Sequence, residues 1–197
     1  MIAPMNDGPI LILASTSPRR FDLMNGAKLR FVVVPPEVEE FHDESVPLAE
    51  LTRHNASLKA EWVAALHPES WVIGADTLVS IDNEAMGKPA DLTEARAMLN
   101  RLSGRTHVVG TAVCLIHAAS GQKREFLEET RVTFKPLDEA GIRHYLTLIN
   151  PLDKAGAYAA QEHGEVILAK VEGAWSNVVG LPVERLLEEL KEIGVIG

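Results

Sequence analysis

The chain has 197 residues, 46% hydrophobic and 24% charged, which is the balance of an ordinary water-soluble globular protein with enough length to bury a core. Its formal net charge of −9 argues against a broad nucleic-acid-binding face, because such faces need basic surface to displace counterions. A small phosphate ligand held by a few local cations remains compatible with that charge, and a divalent metal would help an acidic protein take an acidic substrate.

The opening Met1–Gly8 carries neither the basic nor the apolar part of a leader, and no apolar run approaches the roughly 18 residues of a membrane span, so a cytoplasmic protein without a membrane partner is expected. Ile10–Ala14 reads as a short buried strand. It delivers the chain into Ser15-Thr16-Ser17-Pro18-Arg19-Arg20, where Ser17 takes an N-cap position and Pro18 the first helical position. Hydroxyls, guanidinium groups and free helix N–H groups crowd this turn, as an anion site requires. An ordinary capped helix with surface arginines fits the turn equally well. Phe21–Met24 continues the helix, which Asn25-Gly26 is expected to close. Phe31–Val34 reads as a second buried strand ending at Pro35-Pro36, and the acidic loop Glu37–Glu44 comes next. From Pro47 to Leu66 the positions Leu48, Leu51, Leu58, Trp62 and Ala65 fall at helical spacing, with Lys59 at the margin of the apolar face, where a lysine ordinarily snorkels.

Trp71–Ala75 is a strand without alternation, implying cover on both faces. It runs into Asp76-Thr77, and a carboxylate at the end of a buried strand must be paired or metal-bound, which marks Asp76 as the strongest single candidate for chemistry. Leu78–Ile81 resumes the strand, Asp82–Glu84 turns, and Lys88 sits in the loop beyond. Asp91 and Glu94 resemble a capping box for a helix carrying Leu92, Ala95, Leu99 and Leu102, stopped by Ser103-Gly104. His107–Ile116, which contains the single cysteine, Cys114, and Phe126–Phe134 read as antiparallel strands about a Ser120-Gly121 turn. One cysteine in an apolar run reads as core, and no intrachain disulfide can form. A helix is expected over Asp138–Ile149, then the small-residue segment Asp153–Tyr158 with Gln161 just beyond, a strand over Val166–Val171, a turn at Gly173–Ser176 and a passage Asn177–Pro182 into a last helix buried through Val183, Leu186, Leu187, Leu190 and Ile193. The pattern fits one α/β domain over residues 1–197, with two lobes around a cleft.

Six segments in order, Ala14-Ser-Thr-Ser-Pro-Arg-Arg20, Gly74-Ala-Asp-Thr77, Lys88-Pro89, Leu102-Ser-Gly104, Asp153-Lys-Ala-Gly-Ala-Tyr158 and Asn177-Val-Val-Gly-Leu-Pro182, resemble the Maf family of nucleotide pyrophosphatases. The resemblance implies a Maf/HAM1-like (ITPase-like) α/β fold, a mixed twisted sheet flanked by helices with the active site in a central cleft. It implies hydrolysis of a nucleoside triphosphate to the monophosphate and pyrophosphate with Mg²⁺, or Mn²⁺ or Co²⁺, in a housecleaning role. Ser15, Ser17, Arg19 and Arg20 then fall on the phosphate-binding turn, Glu40 on an acidic position beside Glu39, Asp76 on the essential aspartate, and Lys59 and Lys88 on two lysines of the site.

Glu40 and Asp76 are expected to hold Mg²⁺, directly or through water, and Asp76 to orient and deprotonate the attacking water; a carboxylate fully occupied by a metal is a poor base, so a division of these roles between the two acids or between two metals stays open. Within the family the chain looks like the branch acting on dTTP and UTP, with Arg19, Thr77 and Gln161 on the positions associated with that preference. A glutamine amide suits the uracil or thymine edge, and Thr77 adds one hydrogen bond. The motif departs from the pattern at Gln161-Glu162-His163-Gly164, where a glycine usually succeeds the glutamine. The competing readings are a pyrophosphatase for 7-methyl-GTP or for ITP and XTP, and a non-catalytic nucleotide sensor regulating septum formation. A homodimer is suggested by analogy alone.

Overall fold

The computed structural model describes residues 11–43 and 46–197, so the expected leaderless terminus Met1–Gly8, the strand residue Ile10 and the loop residue Glu44 lie outside the described residues. The elements are β1 (Leu11–Ala14), α1 (Pro18–Gly26), β2 (Phe31–Val33), α2 (Leu48–Leu66), β3 (Trp71–Ile81), β4 (Glu84–Met86), α3 (Leu92–Leu102), β5 (Thr106–His117), β6 (Gln122–Phe134), α4 (Glu139–Leu148), α5 (Gly164–Ile167), β7 (Leu168–Glu172), α6 (Trp175–Val179) and α7 (Val183–Glu192). The strands form one mixed sheet in the order β2-β1-β3-β5-β6-β7, with β4 paired to the far half of β3. β1 runs parallel to β2 and β3, and the other pairings are antiparallel.

Two apolar layers cover the β1 end of the sheet. On one face α2 packs Ala56, Ala60 and Val63 over Ile12, Val72 and Cys114, and on the other α1 and α7 pack Met24, Leu186 and Leu190 over Leu11, Leu13 and Ile73. Gly74 sets the first contact. A Cβ there would lie 2.3 Å from the Ala56 carbonyl oxygen and 2.7 Å from the Ala60 nitrogen, so only glycine lets α2 lie this close to β3. A third core, built on α3, α4, Val109, Val132 and Phe134, fills the opposite end of the long strands and gives the second lobe.

Because side chains alternate along a strand, Gly74 and Asp76 face α2 while Ala75 and Thr77 face α1 and α6. The register Ala14 beside Gly74 brings the Ser15–Arg20 turn level with this pair. Among the described residues no helix is long and apolar enough to cross a membrane.

Several expectations need correction. Phe31–Val33 is an edge strand with Val32 46% exposed, since only β1 flanks it; an apolar run does not by itself encode strand order. α2 buries Leu51, Thr52, Asn55, Ala56, Lys59, Ala60, Val63 and Ala64, so Lys59 sits in the middle of the buried face and Ala65 is exposed. The left-handed residue after α1 is Lys28, not Asn25 or Gly26. The segment read as a strand over Val166–Val171 starts as the single helical turn α5 and becomes β7 only at Leu168, and the expected turn and passage over residues 173–182 contain the helical turn α6. Helices of four or five residues are too short to leave a periodic signature.

Candidate active site

A cleft of about 630 Å³ lies between the lobes, lined by the Ser15–Arg20 turn, Glu40, Lys59, Asp76, Thr77, Lys88, Asp153, Lys154, the Tyr158–Gln161 segment and Gly180. Its charged lining, Arg19, Arg20, Lys59, Lys88 and Lys154 against Glu40, Asp76 and Asp153, gives a local cationic surplus inside an acidic protein. That is the polarity a polyphosphate needs.

On the α1 side the turn is built around Arg20. Ser17 stands at the N-cap of α1 but its side chain makes no capping bond; its N–H instead donates to Ser15 Oγ at 3.1 Å. Arg20 is 9% exposed and donates from Nε to the Gly180 carbonyl at 2.9 Å, from Nη1 to Ser15 Oγ at 3.3 Å and from Nη2 to Thr77 Oγ1 at 3.1 Å. Burial lowers the guanidinium pKa while Asp76 and Glu40 oppose that shift, and an arginine stays charged in any case. Thr77 Oγ1 also lies 3.0 Å from Thr111 Oγ1, which donates to the Asn177 carbonyl at 3.2 Å. The hydroxyl expected to touch a base is therefore engaged in holding Arg20.

On the α2 side Lys59 organises two acids. Its ammonium reaches Asp76 Oδ1 at 2.7 Å, Glu40 Oε1 at 2.8 Å and the Ala75 carbonyl at 3.3 Å, which uses all three of its N–H groups. The lysine is thus buried as a compensated charge. Burial alone would raise the Glu40 carboxyl; the Lys59 ammonium, helped by Lys88 and Arg20, outweighs it and holds Glu40 below the usual carboxylate range. One turn before Lys59 on the same helix, Asn55 accepts from the Phe41 N–H at 2.8 Å and donates to the Phe41 carbonyl at 3.0 Å.

The second lobe supplies the far wall. Arg19 crosses the cleft to donate to Asp153 Oδ2 at 3.1 Å, and Lys154 holds the other oxygen at 2.9 Å. Burial alone would raise the Asp153 carboxyl, and these two partners outweigh it and lower it. Behind the wall, the Tyr145 hydroxyl donates to the Ala159 carbonyl and accepts from the Ala159 N–H, both at 3.1 Å. Tyr158 rests on His107, which burial pushes down to about 4 and so keeps neutral. Lys88 and Gln161 are exposed at the rim, and the Gln161 amide makes only a 3.4 Å contact with Glu162.

All ten candidate residues, Ser15, Ser17, Arg19, Arg20, Glu40, Lys59, Asp76, Thr77, Lys88 and Gln161, line this one cleft. Sequence reasoning assigns no role to Asn55, Lys154 or Asp153, although the last two stand inside a family motif; nothing local distinguishes Asn55 from a surface helix residue. Two oxygen-donor side chains gathered by one ammonium suit Mg²⁺, which takes one or two carboxylates and completes its shell with water and substrate phosphates. Among the described residues no group of three or more His, Cys, Asp or Glu side chains forms a full protein cage.

The chain is 48% identical over 186 residues to a dTTP/UTP pyrophosphatase of Akkermansia muciniphila, covering 94% of this chain and 97% of that protein. It is 45% identical over 184 residues to a dTTP/UTP pyrophosphatase of Carboxydothermus hydrogenoformans, covering 93% and 98%. A HAM1 protein from Coxiella burnetii superposes with a TM-score of 0.47 at 18% identity over 64% of this chain and 73% of that one. The Maf family, described as Maf-like protein, matches residues 10–193, and with the ten candidate residues in one cleft the chain belongs to that family.

Proposed function

We propose that this protein hydrolyses dTTP and UTP, and modified pyrimidine nucleotides of similar shape, to the monophosphate and pyrophosphate, with a divalent metal and in a housecleaning role. The observation that carries the reading is the arrangement at the middle of β3, with two carboxylates organised by Lys59 on one face and a buried guanidinium on the other.

Water attacks the α-phosphorus, the bond from that phosphorus to the α,β-bridging oxygen breaks, and pyrophosphate leaves with the electron pair. Asp76 holds the water and accepts its proton: Oδ1 is fixed by Lys59, and Oδ2 has no hydrogen-bond partner among the described residues. Glu40 stays ionised beside it. Arg20, clamped by Ser15, Thr77 and Gly180, meets the phosphates without reorganising, and Arg19 and Lys88 add positive charge where negative charge grows on the leaving group. Glu40 and Asp76 would hold Mg²⁺, which when bound neutralises phosphate charge and polarises the phosphoryl oxygen. Gln161, at the rim beside the Tyr158–Ala160 wall, offers a donor and an acceptor to the 4-carbonyl and N3–H of the base.

Pyrophosphate release over dTTP, UTP, CTP, 7-methyl-GTP and ITP, with Mg²⁺ or Mn²⁺ and with a chelator, tests the reading. Turnover is expected on dTTP and UTP, to be lost on chelation and reduced about 100-fold or more by Asp76→Asn, the scale of losing a general base. A preference for 7-methyl-GTP or ITP would move the chain to another branch, and no turnover on any nucleotide would leave the sensor.

A further inference from the structure

We propose that Asn55 is a positioning residue for Glu40, setting the reach of that carboxylate to Lys59 and to the reaction centre. The inference rests on the activity proposed above.

Glu40 lies in a segment, residues 34–43, that belongs to no strand or helix, so the sheet does not fix its backbone. Its carboxylate nonetheless lies 2.8 Å from an ammonium that also serves Asp76, and a shift of about 1 Å in a group at a reaction centre is enough to cost about 100-fold in rate. Something must hold the next peptide. Asn55 does so from behind, with both polar atoms of its side chain on the two polar atoms of Phe41.

Three features separate this clasp from a chance surface contact. Asn55 is 1% exposed, and a buried amide without partners is unfavourable, yet here both ends of the amide are satisfied by a single residue of the loop. Asn55 and Lys59 stand at positions i and i+4 of α2, on one face, so the same helix turn fixes the Phe41 backbone and the Glu40 side chain. Ala56 and Ala60, the neighbours of these two residues, are the groups that press on Gly74, so the turn is seated against β3 at its closest approach. The distance from clasp to ammonium is therefore fixed by helix geometry, and the distance from ammonium to Asp76 by packing.

Asn55→Leu keeps the branch at Cγ, favours the helix more than asparagine does, and removes both hydrogen bonds. It is expected to lose the slow exchange of the Phe41 amide in hydrogen–deuterium exchange. It should also lower kcat on dTTP about tenfold or more, within the range for a misplaced group, with KM changed far less. In a Glu40→Gln background the same substitution should lower kcat no further, because a residue acting only through Glu40 has nothing left to position. Asn55→Asp, which keeps the acceptor but not the donor, is the second variant should the leucine variant not fold, and is expected to fall between the two.

Unchanged exchange at Phe41, unchanged kcat, or a loss that multiplies with that of Glu40→Gln would overturn the assignment. The exchange measurement needs no substrate. A wild-type chain inactive on every nucleotide but with a protected Phe41 amide would thus overturn the proposed activity while leaving the clasp in place.

Discussion

Replacing Lys59 by methionine, which has similar length and an unbranched stem, removes one charge from between two carboxylates. Lys59 and Asp76 have side chains 7% and 8% exposed, so in the variant Asp76 is left buried without its ammonium partner. Breaking a buried pair in this way costs about 3–5 kcal/mol; Glu40, 31% exposed, recovers part of its solvation, which favours the lower end, about 3 kcal/mol. For a chain of this size that is a fall in Tm of about 6–12 °C at neutral pH.

The pH dependence comes from Glu40. Its folded pKa is depressed below the ordinary value of 4.5, so the stability it brings is present above that value and is lost as pH falls through the folded pKa. The variant lacks this contribution at every pH, and the gap between the two proteins should narrow below about pH 4.5. Differential scanning calorimetry of both proteins from neutral to acid pH measures this. Equal Tm values at pH 7, or a gap that stays constant down to the acid limit of folding, would refute the assignment of Lys59 as the charge that holds the two acids together.

Three other changes test separate parts of the site. Gly74→Ala puts a methyl group against the Ala56 carbonyl and the Ala60 nitrogen, backbone that cannot rotate away, and is expected to destabilise by about 3 kcal/mol or more with α2 displaced, measured by denaturant titration. Arg20→Lys replaces a fork that serves Ser15, Thr77 and Gly180 by a single ammonium, and kcat/KM on dTTP should fall about 10- to 100-fold, the equivalent of one charge-assisted hydrogen bond in steady-state kinetics. Asp153→Asn loosens the half-exposed contact with Arg19 across the cleft and also takes the charge partner from the buried Lys154 ammonium, which keeps the Asn150 carbonyl at 2.8 Å, so stability in denaturant titration should fall by about 1–3 kcal/mol while KM for dTTP changes, because Arg19 is freed for the substrate.

Part of the site was legible because the Ser15–Arg20 turn joins a strand end to a helix start, where residue type and position are tightly coupled, although Asp76, expected at a strand end, lies within the unbroken strand β3. Pro18 after Ser17 marked the start of α1, and Asp76 in an apolar strand announced a charge needing a partner. Asp91 also caps α3 as read, accepting from the Thr93 and Glu94 N–H groups at 2.7 and 2.9 Å, although Glu94 reaches back to Ala90 rather than to Asp91. The buried face of α2 was not legible. Periodicity counts apolar residues, whereas this helix buries Thr52, Asn55 and Lys59; for the last two, Phe41 and Asp76, distant in the chain, are among the partners that satisfy them. Their burial is a tertiary fact with no local trace. β2 escaped for a related reason: its side chains are apolar enough for a core, but its place at the edge is set by the path of β1 and β3.

The alternation at Asp76 and Thr77 makes the site sensitive to counting as well as to chemistry. Nine successive pairings with β5, from Val72 to Ser80, fix which face each residue of β3 presents. A single residue inserted between Trp71 and Ala75, with the remainder of the strand slipping by one position, would turn the carboxylate toward Arg20 and the hydroxyl toward Lys59, leaving every residue present and every partner wrong. The same insertion at the Asp82-Asn83 turn, beyond the pairings that matter, would lengthen a hairpin and leave the site as it stands.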